Sequence, residues 1–127
     1  MQDQPSHIEL LRAVIDFLND KAVPNLSGQP AFHARVAANV LDIVVRELQQ
    51  APAANAAELD RLRALLRQDG SIEDLNHQFC QHIAGGDMTL DTPGLSDHLW
   101  QLTLDKLAID QPSYATYRRI VFSQQGT

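Results

Sequence analysis

Five histidines and one cysteine are the side chains here best suited to metal binding or nucleophilic chemistry. His77 and Cys80 stand three residues apart, which on a helix places two candidate ligands on one face. His82 points about 140° away from His77 around the same helix and cannot join them. Structural zinc usually takes four protein ligands, and no CxxC, HxxxH or HExxH spacing supplies them. No metal is therefore expected. No histidine or cation is evidently poised to lower the pKa of Cys80, which reads as a small core residue. The sequence has no P-loop, no GxGxxG and no GxSxG, so no catalytic residue and no cofactor is expected.

A polar stripe offers a second kind of chemistry. Arg35, Asn39, Asp42 and Arg46 recur at i, i+4, i+7 and i+11 along one helical pattern. As a ligand site, Arg35 would grip a carboxylate or phosphate bidentately, with His33 or Asn39 orienting it. As structure, Arg35 would pair with Asp42 or with a carboxylate of another helix, and an at least half-buried Asn39 would tie down a loop carbonyl. Arg61, Arg63 and Arg67 form a further basic group. They read as an anion site or as a solvated face, and a net charge of −6 favours the latter.

The stripe lies on Pro30–Gln50, an uninterrupted helical pattern whose apolar residues sweep about 240° of the circumference. A surface helix needs only ~100° or somewhat more. This segment is expected to be a central second helix, with Val36, Val40, Ile43 and Val44 in the core. Before it, Ser6 and Glu9 form a capping box, and a first helix runs to about Ala22 with Ile8, Leu11, Ile15 and Leu18 inward. Its Arg12 and Asp16 read as a solvated i,i+4 pair. Val23-Pro24 stops it. Ala51–Asn55 makes a loop, and a third helix covers roughly 56–68. Ser71 caps a fourth, built on Ile72, Leu75, Phe79 and Ile83 and closed by Gly85-Gly86. Thr92-Pro93 starts a fifth, ended by Pro112. Ser113–Arg119 makes one more short helical segment. The expectation is one all-α domain over residues 1–127, a bundle of about five helices around the second, with a frayed tail from about 120.

On the fifth helix Leu95, Leu99, Leu102 and Ile109 face one way, and Trp100, Leu104 and Leu107 the other. If one chain cannot cover both, the Trp100 face is an interface with a second copy or another protein. The acidic balance argues against nucleic-acid binding, which needs Lys and Arg on phosphates. No apolar run is long enough for a membrane span. The polar start, MQDQPSHIE, does not resemble a signal peptide. One cysteine rules out an intramolecular disulfide framework, so the expected location is a reducing cytoplasm.

Phe32-His33-Ala34-Arg35-Val36-Ala37-Ala38-Asn39-Val40-Leu41, followed by Arg46-Glu47-Leu48, resembles the signature of an uncharacterised bacterial family, a small helical domain of unknown function. The similarity extends to the capped first helix and the Leu75-Asn76 pair. It reaches an Asn-Pro-x-Tyr-like ending that here reads Gln111-Pro112-Ser113-Tyr114, departing at its first position. It covers about Pro5 to Tyr114. Members are typically encoded beside, or fused to, aminoglycoside-phosphotransferase-like kinases and acyl-CoA dehydrogenases. The resemblance implies a supporting role next to such proteins and no activity of its own. Two functions follow as expectations. One is a non-catalytic accessory module docking on a kinase-like or dehydrogenase-like partner. The other is a protein or enzyme binding a small anionic molecule at His33, Arg35 and Asn39.

Overall fold

A computed structural model describes residues 3–126, and among these every regular element is helical. The all-α class therefore stands. Helix α1 spans His7–Phe17. Its capping box forms as the sequence predicts: the Ser6 amide donates to the Glu9 carboxylate at 2.7 Å, and the Ser6 hydroxyl accepts from the Glu9 amide at 3.3 Å. Those bonds favour the ionised carboxylate and hold Glu9 below the usual carboxylate range.

Pro24 does not end this helix where expected. The chain widens into a π-helical turn, Leu18–Ala22, and closes with Val23–Asn25. The Val23 amide donates five residues back, to the Leu18 carbonyl. A wider turn makes room for a proline ring that would clash with the carbonyl four residues back in a tight α-helix.

Helix α2 spans Gly28–Leu66, 39 residues, and continues past Pro52. This corrects the expected break at Ala51–Asn55. Alanine is the strongest helix former, and Ala51, Ala53, Ala54, Ala56 and Ala57 surround the proline. They carry the helix across a residue that costs roughly 3 kcal/mol. Asn55 and Glu58, whose spacing is that of an N-cap and the third helical residue, sit inside the helix.

By its contacts the chain divides into two compact units, Met1–Gln50 and Ala51–Thr127, and α2 contributes to both. In the first unit α1 and the start of α2 form a hairpin. The Arg12 guanidinium reaches Asp42 at 2.8 Å, not Asp16, and so ties the two helices together. Ile15 is buried on α1, and Ala31, Ala34, Ala38 and Val45 on α2. The expected core is thus corrected: Val36 and Val40 are 42% and 51% exposed, and Ile43 and Val44 are only partly buried. One neighbouring helix covers one stripe. The buried stripe here is the alanine-rich edge, where small side chains allow close approach.

In the second unit, α3 spans Ile72–Gly85. Ser71 caps it by accepting from the Asp74 amide at 3.1 Å, and Gly86 closes it at φ 81. Helix α4 spans Leu95–Asp110. Its cap is Gly94, at φ 85, not Thr92, whose hydroxyl instead accepts from the Thr89 amide at 2.9 Å. Leu62, Leu75, Phe79 and Leu95 form the core, and Leu59, Leu65, Leu66, Ile72 and Met88 pack around it. Helix α5 spans Ala115–Gln125, past the point near 120 where the sequence suggests a frayed tail. No helix among the described residues is long and apolar enough to cross a membrane.

Candidate functional site

One row of α4 reads Leu95, His98, Leu102, Asp105 and Ile109, at i, i+3, i+7, i+10 and i+14. Such a row faces inward, and two of its members are polar. His98 is 1% exposed, and Asp105 is partly buried. Arg61 of α2 meets both. Its Nε donates to His98 Nδ1 at 3.3 Å, and its Nη2 lies 3.6 Å from Asp105 Oδ2. Gln101, one turn before Asp105, donates to the other carboxylate oxygen at 2.8 Å. Phe79 of α3 packs edge-on to His98, with ring centroids 5.0 Å apart.

This geometry sets the protonation of His98. Nδ1 accepts from Arg61, so a neutral ring carries its proton on Nε2. Burial, and secondarily the positive charge of Arg61, push the His98 pKa below its ordinary value. The ring is therefore neutral near pH 7. It cannot serve as a general base, because its lone pair is already taken. What remains is donor capacity: His98 Nε2 and Arg61 Nη2 are both buried, and neither has a hydrogen-bond partner.

The lowered pKa has a consequence for stability. Below the unfolded-state value of about 6.5, the unfolded chain binds a proton at this position that the folded chain resists. Stability therefore falls as pH drops through that value, and above it this group contributes no slope. Urea denaturation from about pH 7.5 to about pH 5.5 is expected to show the loss, and His98→Gln to remove its share of it. Identical acid sensitivity in the variant would show that His98 is not the responsible group.

A cleft of about 430 Å³ opens beside these residues, lined by Arg61, Arg67, Thr92, Gly94 and His98 among others. Its size is within the roughly 300–1,000 Å³ of small-molecule sites. Two backbone features shape it. Arg67 ends α2 in the left-handed region, at φ 51. Gly94 packs so closely on α2 that an added Cβ would sit 3.3 Å from Leu65 Cδ2. A second cleft, of about 250 Å³, is lined by Asn55, Glu58, Glu73, Asn76 and Lys106. Its Glu58 is 9% exposed.

Of the residues singled out by sequence, Arg61 and Arg67 line the larger cleft, and the others lie elsewhere. His33, Arg35 and Asn39 are all exposed, on the first unit. His33 and Arg35 project roughly 160° apart around the helix. His33 packs beside the Phe32 ring, with centroids 5.8 Å apart. Asn39 is not half-buried, and the Asp42 carboxylate expected for Arg35 is engaged by Arg12. On α4, Trp100 is 50% exposed and Leu107 partly buried, whereas Leu104 belongs to the interior at 8%. Cys80 is exposed, not a core residue. His77 Nε2 lies 3.0 Å from the Gln81 amide nitrogen, and no group of three metal-binding side chains occurs among the described residues.

The Arg61–His98–Asp105 group was missed because its members are 37 and 7 residues apart. The signal was present on α4 all the same, as two polar residues in an otherwise apolar row.

A family model described as a domain of unknown function, DUF6285, matches residues 24–114. No curated protein and no solved structure matches the chain.

Proposed function

We propose that this chain, which belongs to the DUF6285 family of domains of unknown function, serves as a non-catalytic interaction module. One observation carries the reading. Leu10, Val14 and Phe17 of α1 are 51%, 48% and 60% exposed, and Phe32, Val36 and Val40 of α2 are exposed to a similar degree. Their spacings, i, i+4, i+7 and i, i+4, i+8, are those of helix faces that bury apolar side chains. Large apolar residues left in water in such number usually mark a docking surface.

The partner in this reading is a kinase-like or acyl-CoA-dehydrogenase-like protein, as the family resemblance implies, in a bacterial cytoplasm. Trp100 and its neighbour Leu107 are a second, smaller docking point, and a second copy of the chain is the other occupant. The decisive experiment is affinity purification of the tagged chain from its native host. A kinase-like or dehydrogenase-like protein is expected to co-purify, and the double variant Val36→Asp, Val40→Asp to lose it while remaining helical. Unchanged capture by that variant, or capture of neither class, would overturn the proposal.

The alternative of small-molecule binding draws its support from the unpaired donors at Arg61 and His98, not from His33, Arg35 and Asn39.

A further inference from the structure

We propose that the cleft beside Arg61 and His98 binds a small monocarboxylate with an apolar body. The inference is independent of the docking face on the first unit. It begins with the two unpaired donors. His98 Nε2–H and Arg61 Nη2 belong to side chains already joined through the bond to Nδ1; His98 Nε2 has no hydrogen-bond acceptor, and Arg61 Nη2 has only the Asp105 carboxylate, beyond hydrogen-bond distance at 3.6 Å. Leaving a buried donor unpaired is costly, and an acceptor brought by a ligand removes that cost. A carboxylate has two acceptor oxygens on one planar group, one for each donor.

Both donor atoms are closed off from solvent, so Arg61 is the part that must move. Its charged partner allows this. Asp105 stands at 3.6 Å, too far for a good hydrogen bond, and keeps its own bond to Gln101 when Arg61 turns.

The remaining lining selects the ligand class. Among its charged members Arg61 and Arg67 contribute two positive charges and Asp97 one negative, and Asp105 at 3.6 Å offsets part of the Arg61 charge, so little net positive charge remains beside a neutral His98. A single negative charge balances that better than a phosphate dianion does. The Thr92 hydroxyl accepts from the Thr89 amide, so its own proton is available to a ligand oxygen. Ala64, Leu65 and Pro93 supply apolar wall for a hydrocarbon body.

The test follows histidine and arginine side-chain N–H signals by NMR in the whole protein. The probe is sodium hexanoate, with hexanamide and inorganic phosphate as controls. Hexanoate is expected to shift the His98 and Arg61 signals saturably, with a Kd of ~1 mM or tighter. Hexanamide and phosphate are expected to bind at least roughly tenfold more weakly. Arg67→Gly suits the left-handed backbone at that position and should fold, yet weaken hexanoate roughly tenfold. The proposal falls if ~10 mM hexanoate leaves the His98 signal unmoved. It falls equally if hexanamide or phosphate matches hexanoate, or if Arg67→Gly binds as tightly as the parent.

Discussion

Leu104→Asp is expected to unfold the Ala51–Thr127 unit, not merely to release a partner. Leu104 is 8% exposed and lies in the interior, although it shares a helix with the half-exposed Trp100. Aspartate at that position must either stay charged in an apolar environment or take up a proton. Either route costs several kcal/mol, beyond the loss of about 1.5–3 kcal/mol of leucine burial. Domains of this kind have only about 5–15 kcal/mol of stability in total. Circular dichroism during a urea titration is expected to show the cooperative transition of this unit abolished or shifted far toward zero denaturant. A transition close to that of the parent would mean that Leu104 faces water in solution. Trp100→Ala is the informative companion. It removes a side chain already half in solvent, so a protein that folds but loses an association would point to docking.

The second large effect is expected at Leu75. It is 0% exposed, within the cluster of Leu62, Phe79 and Leu95. The backbone of the α2–α3 connection also closes over it, since a Cβ added at Gly70 would sit 3.2 Å from Leu75 Cδ2. A site walled on all sides collapses poorly when emptied. Leu75→Ala should therefore cost about 2–5 kcal/mol, from lost transfer energy and a residual cavity. The measurement is the urea midpoint at unchanged slope. A cost below about 1 kcal/mol would show that the surrounding helices relax into the space.

Local chemistry was legible in the sequence where it depends on a few adjacent residues. Ser6 with Glu9, Ser71 and Gly86 all act as their types and spacings require. The all-α class follows from periodicity alone. Reading failed where two local signals compete. Pro52 argues for a break and five alanines argue against it, and the alanines prevail. It failed again where a pattern is degenerate. An apolar arc of about 240° does not say which third of it meets a neighbour, and the covered side is the one with Ala31, Ala34 and Ala38. Arg61 and His98 were illegible for a different reason: nothing near either residue specifies the other, 37 positions away.

The proline inside α2 bears on the order in which the chain melts. Proline is well suited to the first turn of a helix, where its missing N–H would have had no partner. If residues up to Gln50 unravel, Pro52 stands at a ready-made helix start for the stretch that carries Glu58, Arg61 and Leu62. The rung it lacks has already been given up in the intact helix, so fraying that arrives there meets no further loss at that residue. The N-terminal hairpin can therefore open as a unit of its own, while the helices around Leu75 stay closed.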